Sequence, residues 1–190
     1  MLAELELKAV VPDPEGCRVR LRAAGAIAGF RGRMTDRRYD RAGELAARDE
    51  VLRIRTYDHP DGATESLLAW KGATTRSPEG YKLRQEIELA VQSERGAAER
   101  LLGALGYARV HLIERDVEIY RVHEATVRLE RYPVMDPLVE VEGDPDAIER
   151  AIGATGIPRA AFSAEALSEF VRRYEARTRS PARLSGEGGA

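Results

Sequence analysis

The chain has 190 residues, enough for one domain of ordinary size, and its 30 basic and 32 acidic residues leave a net charge of only −2. Such a balance indicates neither a chain that binds nucleic acid over its whole surface nor an acidic tail. A single cysteine, Cys17, excludes an internal disulfide and a cysteine-based metal site. No apolar run approaches about 18 residues, and the N-terminus carries charge where a signal peptide would be apolar, so we expect a cytoplasmic protein.

Periodicity, capping residues and turn signals predict both helices and strands along the chain. Helices are expected at residues 14–24, 94–105, 145–154 and 164–177, the second after Ser93 and the fourth after Ser163. Strands are expected at residues 4–8, 35–40, 51–57, 64–71, 83–89, 110–122, 127–130 and 139–142, with a turn at 59–62. We expect a single domain over residues 1–177, followed by a disordered tail at 178–190, which is rich in Ser, Gly and Arg.

Ionic side chains share one face of at least five predicted strands. In the first, Glu4, Glu6 and Lys8 alternate with Leu5 and Leu7, so one face is ionic and the other apolar. A sheet with one wet face would explain a single such strand without any function. Two features favour a function. The ionic pattern recurs in at least five strands, and the ionic faces use Glu and Arg although Thr is a better strand former on a surface without a role. A closed sheet whose ionic face lines a lumen would explain both features.

The sequence therefore predicts an α+β fold, a closed and mostly antiparallel β-tunnel of about eight strands with a polar lumen and helices outside. Desolvating an unpaired charge costs several kcal/mol, so the lumen must stay hydrated or hold counter-ions. A polyanion that carries divalent cations satisfies both signs of charge, because carboxylates bind Mg²⁺ or Mn²⁺ and basic side chains bind phosphate oxygens. The inward residues expected are Glu4, Glu6, Lys8, Arg53, Arg55, Lys71, Arg84, Glu86, Glu88, Arg128, Glu130, Glu140 and Glu142.

Six short motifs occur in the same order as in the CYTH superfamily, the triphosphate tunnel metalloenzymes, and the chain resembles that family over most of its length. They are E-x-E-x-K at 4–8, the Tyr-containing strand at 35–40, L-R-I-R at 52–55, W-K-G at 70–72, R-x-E-I-E at 84–88 and the late E-x-E at 140–142. The family's K-x-R-x-x-Y segment is similar to residues 115–120, but Val117 stands in place of its middle base.

The resemblance implies a reaction of a triphosphate that depends on Mg²⁺ or Mn²⁺. The phosphate-binding residues it implies are Lys8, Arg53, Arg55, Lys71, Arg84, Arg115 and Arg128. The metal ligands it implies are Glu4, Glu6, Glu130, Glu140 and Glu142. Lys8, Arg53, Glu86 and Glu88 are the residues expected to act in catalysis.

Three functions remain open at this point. The first is hydrolysis of inorganic tripolyphosphate or of a nucleoside or thiamine triphosphate. The second is a class IV-type adenylyl cyclase that converts ATP to cyclic AMP and pyrophosphate. The third, suggested by Val117, is a binding module that holds polyphosphate or a nucleotide without turnover. The expected partner is a triphosphate-containing small molecule, not a specific nucleic acid or a membrane, and a homodimer is left open.

Overall fold

A computed structural model of the protein describes residues 2–92 and 96–186. The strands in these ranges are β1 (Leu2–Val10), β2 (Ile27–Asp40), β3 (Val51–Asp58), β4 (Thr64–Lys71), β5 (Thr75–Arg76), β6 (Lys82–Ala90), β7 (Ala108–Val122), β8 (Ala125–Arg131) and β9 (Leu138–Glu142). The α-helices are α1 (Pro14–Ala23), α2 (Ala97–Ala104), α3 (Pro145–Thr155) and α4 (Leu167–Thr178).

Eight of the strands close into a barrel, and every neighbouring pair is antiparallel. Their order is β1-β9-β8-β7-β2-β3-β4-β6, and β6 pairs back to β1 to close the ring. The two-residue strand β5 pairs with β6, with Thr75 opposite Leu83 and Arg76 opposite Lys82. The predicted closed, eight-stranded α+β fold with helices outside is therefore confirmed, and its pairing is antiparallel throughout.

The register between β1 and β9 separates ionic from apolar side chains. Lys8 lies opposite Glu140, and Leu7 lies opposite Val141. Because side chains alternate between the two faces of a strand, a slip of one residue would turn the ionic pair into the apolar layer. The observed register keeps both ionic residues inside the barrel and both apolar ones outside it.

The main hydrophobic core lies on the outer face of the barrel. Helices α1 and α3 contribute Leu21 and Ile148, which are fully buried against the outward residues of β1, β7, β8 and β9. A second cluster packs Leu102 of α2 on Ile54 of β3. The apolar faces of the strands are thus removed from water by helices, as the amphipathic patterns predicted.

Two helix boundaries differ from expectation. Helix α2 starts at Ala97, while residues 93–95, including the predicted cap Ser93, lie outside the described residues. Helix α4 starts at Leu167 rather than near residue 164. The reason is that Ser163 pairs with β1, since its backbone N–H donates to the Lys8 carbonyl at 2.8 Å and its carbonyl accepts from Lys8 at 2.9 Å.

The segment expected to form a disordered tail contacts the barrel over its described part. Arg183 and Val134 exchange backbone hydrogen bonds, and the Glu114 N–H donates to the Leu184 carbonyl at 2.6 Å. Leu184 packs beside Phe170 of α4 in an apolar cluster at one end of the barrel. Leu184 is an apolar residue in a polar stretch, and the average composition of residues 178–190, on which the prediction of disorder rested, does not reveal this contact. Residues 187–190 lie outside the described ranges.

None of the helices in the described ranges has the length and apolar character needed to cross a bilayer.

The outer position of the core predicts the effect of one truncation. Ile148→Ala on α3 should lower the free energy of unfolding by about 2–5 kcal/mol, because it leaves a cavity between α3 and the barrel. The matched control Val19→Ala, on the exposed side of α1, should change it by less than about 0.5 kcal/mol. Urea denaturation measures both. Equal losses would contradict the placement of the core.

Candidate functional site

The barrel encloses a cavity of about 520 Å³, which we call the central cavity. Seven residues predicted to bind phosphate line it, and all seven are buried. They are Lys8, Arg53, Arg55, Lys71, Arg84, Arg115 and Arg128. Six strands supply them, so the closed register of the sheet is what brings these distant parts of the sequence together.

The lining of the central cavity carries more positive than negative charge. Its basic residues are nine: Lys8, Arg38, Arg53, Arg55, Lys71, Lys82, Arg84, Arg115 and Arg128. Its acidic residues among the described side chains are five: Glu6, Asp36, Asp49, Glu130 and Glu140. An excess of basic groups in a partly desolvated space attracts anions strongly, because the effective dielectric constant there is low.

Asp36 on β2 holds several arginine side chains in place. It accepts hydrogen bonds from Arg55 at 2.7 and 3.0 Å and from Arg115 at 2.8 Å, and Arg53 lies 3.8 Å away. Burial alone would raise the pKa of Asp36, but Arg55 and Arg115 hold that pKa well below its usual range. This carboxylate therefore stays ionised and fixes two guanidinium groups toward the cavity.

Lys8 stands between two carboxylates on the opposite wall. Its amine lies 2.8 Å from Glu6 and 2.5 Å from Glu140. Burial alone would lower the pKa of Lys8, but Glu140 and Glu6 raise that pKa above its usual range. Glu140 also contacts Arg128, and its own pKa lies well below the usual value because Lys8 and Arg128 outweigh the effect of burial.

Glu130 was predicted to bind metal, but its carboxylate contacts other groups. It accepts hydrogen bonds from Arg115 at 3.0 Å and from the Tyr132 hydroxyl at 2.6 Å. Each oxygen thus has a buried donor. This arrangement positions Arg115, whose remaining contact is to Asp36.

Glu86 and Glu88, predicted to act in catalysis, do not line the cavity themselves but contact basic residues that line it. Glu86 lies 3.1 Å from Arg53 and 3.0 Å from Lys71. Glu88 lies 3.4 Å from Arg53, and its side chain is 39% exposed. Glu86 is therefore the better enclosed of the two.

Several arginines that line the cavity carry an N–H group that has no acceptor. Arg53 and Arg128 each have a shielded Nε, and Arg115 a shielded Nη1, without a hydrogen-bond partner among the described residues. A buried donor without an acceptor costs about 1–3 kcal/mol. Donors of this kind, gathered in one cavity, are suited to a ligand rich in acceptor oxygens.

Arg84 differs from the other predicted phosphate-binding residues. Its Nε donates to the Gly72 carbonyl at 2.6 Å, and its Nη2 donates to the Asp49 carbonyl. Asp49 in turn accepts from the Thr74 N–H at 2.7 Å. Arg84 thus ties together two loops at the rim of the cavity.

The carboxylates predicted to hold metal lie on neighbouring strands. Glu6 is directly opposite Glu142, and Glu140 is two residues along β9. Glu4 follows on the same face of β1, but its side chain lies outside the described residues. Within the described part of the chain, no three acidic, His or Cys side chains are grouped closely enough to hold a metal ion. The oxygens of the four glutamate carboxylates are nevertheless the ligand type that Mg²⁺ and Mn²⁺ prefer, so the donor chemistry fits a divalent ion.

A larger groove of about 750 Å³ lies beside the barrel. Its charged side chains pair with one another, since Arg18 donates to Glu118 at 2.9 Å and Arg33 to Asp116 at 3.2 Å. None of its arginines, within the described residues, has a shielded nitrogen without an acceptor, so it is the weaker candidate for an anion site.

Among the residues that line the central cavity and that sequence reasoning missed are Asp36, Arg38, Lys82 and Tyr132. Alternation along β2 places Asp36 and Arg38 on one face and Arg37 on the other, but it does not show which of the two faces is the inner one. Lys82 shares a face with Arg84 in the same way. The position of Tyr132, just past the end of β8, has no such local signal.

Comparison by sequence finds no matching family model and no matching curated protein. Solved structures match most of the chain. Protein PH1819 of Pyrococcus horikoshii OT3 is 24% identical, with a TM-score of 0.70 over 90% of this chain and 98% of that chain. A candidate adenylate cyclase of Vibrio parahaemolyticus is 18% identical, with a TM-score of 0.71 over 89% and 97%.

A third structure, HpAC1 of Hippeastrum, is a candidate adenylyl cyclase with a dominant triphosphatase activity. It is 19% identical, with a TM-score of 0.61 over 97% of this chain and 99% of that chain. These structures and the closed antiparallel barrel decide the architecture. The chain has the triphosphate tunnel fold. The fold that the motif resemblance implied is therefore confirmed.

The buried carboxylates predict how stability of the tunnel depends on pH. Asp36 and Glu140 have a pKa well below usual in the folded protein, whereas the unfolded values are about 3.9 and 4.3. Their stabilising effect is complete above the unfolded pKa and is lost as pH falls toward the folded pKa. The free energy of unfolding should therefore be nearly constant from about pH 7 to 5 and should fall below about pH 4.5.

Urea denaturation between pH 3 and 7 tests this prediction. Asp36→Asn should lose about 3–5 kcal/mol at neutral pH, because it leaves buried arginines unpaired, and its profile should be flatter in acid. Asp116→Asn, at an exposed ion pair, should behave like the wild type. A wild-type profile without an acid limb would contradict the assignment.

Proposed function

We propose that the chain hydrolyses a triphosphate in the central cavity, with Mg²⁺ or Mn²⁺ as cofactor. The observation that carries this proposal is the set of shielded N–H groups of Arg53, Arg115 and Arg128, for which the described residues offer no acceptor. A triphosphate supplies many anionic oxygens, and arginine binds them with charge-assisted hydrogen bonds. Inorganic tripolyphosphate and nucleoside or thiamine triphosphates all carry this group.

The charged wall supplies what phosphoryl transfer needs most, which is positioning and neutralisation of developing charge. In this proposal the basic residues bind phosphate oxygens, with Lys8 and Arg53 nearest the charge that develops. Glu86, between Arg53 and Lys71, orients the attacking water, and Glu88 supports it at the rim. The phosphate-binding set is Lys8, Arg53, Arg55, Lys71, Arg84, Arg115 and Arg128.

The metal ligands in this proposal are Glu4, Glu6, Glu140 and Glu142. A divalent ion bound there would neutralise phosphate charge and help to align the phosphate chain. Lys8 now contacts both Glu6 and Glu140, so a phosphate oxygen that engages the Lys8 amine would free carboxylate oxygens for the ion. Glu130, the fifth predicted ligand, would have to release Arg115 or Tyr132 before it could bind the ion.

Adenylyl cyclisation is the second candidate, supported by the structural similarity to the Vibrio candidate adenylate cyclase. The same charged residues would then bind ATP while its ribose 3′-hydroxyl attacks the α-phosphorus and pyrophosphate leaves. Binding without turnover is the third candidate. Val117 favours it, because this buried apolar residue lies opposite Glu130 where the resembling family has a base.

A substrate panel tests these alternatives. ATP, thiamine triphosphate and tripolyphosphate are incubated with Mg²⁺ or Mn²⁺, and ion-exchange chromatography identifies the products. We expect orthophosphate, whereas cyclic AMP with pyrophosphate would show a cyclase. Thermal stabilisation by the triphosphates without any product would show a binding module.

The variant Glu6→Gln tests whether the cavity is the active site, because it removes one carboxylate charge from the cavity wall. We expect kcat to fall on the order of a hundredfold or more, as for loss of one electrostatic contact to the transition state. Glu15→Gln, an exposed change of the same kind on α1, should leave kcat unaltered. Equal rates in wild type and Glu6→Gln would refute the proposed site.

A further inference from the structure

Arg38 is a basic residue of the central cavity that none of the recognised motifs assigns to phosphate. It lies on β2 directly opposite Arg53 of β3 and His111 of β7. Its side chain lines the cavity and is partly buried. Its Nε is shielded from solvent and finds no hydrogen-bond partner within the part of the chain that the structure describes.

The cations nearest Arg38 already hold carboxylates of their own, since Arg53 contacts Glu86 and Arg115 contacts Glu130. Asp36, two residues along the strand, gives both of its oxygens to Arg55 and Arg115. Burial first, and then the positive charges of Arg53 and Arg115, lower the pKa of Arg38, although Asp36 partly opposes this. Arginine keeps its proton despite such a shift. In the ligand-free protein Arg38 is therefore an incompletely compensated positive charge.

We propose that Arg38 binds a phosphate oxygen of the substrate beside Arg53 and that it selects among anions by their charge; this inference rests on the proposed function. Coulomb energy scales with the product of the two charges. One positive charge on the wall therefore favours tripolyphosphate more than pyrophosphate, which carries fewer negative charges. A ligand that neutralises the cluster also relieves the repulsion between Arg38 and its arginine neighbours.

A binding role and a structural role for Arg38 differ in their effect on the ligand-free protein. A residue that stabilises the fold lowers the melting temperature when it is replaced. Arg38→Gln should instead leave the melting temperature of the ligand-free protein unchanged or higher, because a repelled buried charge is removed. The same variant should show a smaller rise in melting temperature on addition of tripolyphosphate.

Arg37→Gln is the matched control, because it changes the same charge one residue away. Arg37 faces the outside of the barrel, where its Nη1 donates to the Thr56 hydroxyl at 3.3 Å. Isothermal titration calorimetry without metal, at low ionic strength, measures binding of tripolyphosphate and of pyrophosphate to each protein. Arg38→Gln should weaken tripolyphosphate binding about tenfold or more and pyrophosphate binding less, whereas Arg37→Gln should change neither by more than about twofold.

Arg38→Lys keeps the charge and should keep the preference for tripolyphosphate, which supplies a second test if Arg38→Gln folds poorly. Equal weakening of both anions by Arg38→Gln, or equal effects of Arg37→Gln and Arg38→Gln, would overturn the role of Arg38 alone. A wild-type protein that binds neither anion would overturn this inference, whereas the proposed function is decided separately by the substrate panel with Mg²⁺ or Mn²⁺. A wild-type protein that binds but does not turn over leaves the calorimetric test of Arg38 fully decisive.

Discussion

The pairing of charges that are withdrawn from bulk water is the constraint on which the rest of this structure depends. Most acidic and basic side chains inside the barrel have a partner within a few ångströms, since an isolated buried ion is strongly destabilising. Around one side of the wall the pairs run from Glu86 through Arg53, Asp36 and Arg115 to Glu130. Such a chain of contacts forms only in one register, so the ionic interior specifies the strand pairing as well as the site.

An ionic interior moves the source of hydrophobic stabilisation to the outside of the barrel. Leu7 and Val141 turn outward, and α1 and α3 cover them. At one end the arrangement changes, because Ile113 and Leu138 pack against Phe170 of α4. The helices are therefore required for stability, and the strands are free to present their other face to a ligand.

Much of the site could be predicted from local alternation, and the remainder depends on long-range register. The E-x-E-x-K strand has one charged and one apolar face, so Glu6 and Lys8 could be assigned to the lumen. The strand that contains Arg37 and Arg38 has charges on both faces, and no local pattern shows which of them points inward. The contacts of Glu130 depend on how β7 pairs with β8, which places Arg115 and Tyr132 beside it. Strand composition contains no information about that pairing.

The contacts of Arg84 have a consequence for how the rim of the cavity can vary. Its acceptors are the main-chain carbonyls of Gly72 and Asp49. Every amino acid carries this oxygen, so a change of side chain at position 49 keeps the acceptor for Arg84, although it removes the carboxylate that accepts from the Thr74 N–H. A change in loop length, however, would carry the oxygen out of reach, because hydrogen bonds weaken steeply with distance and angle. The rim can therefore diversify by substitution much more readily than by insertion or deletion.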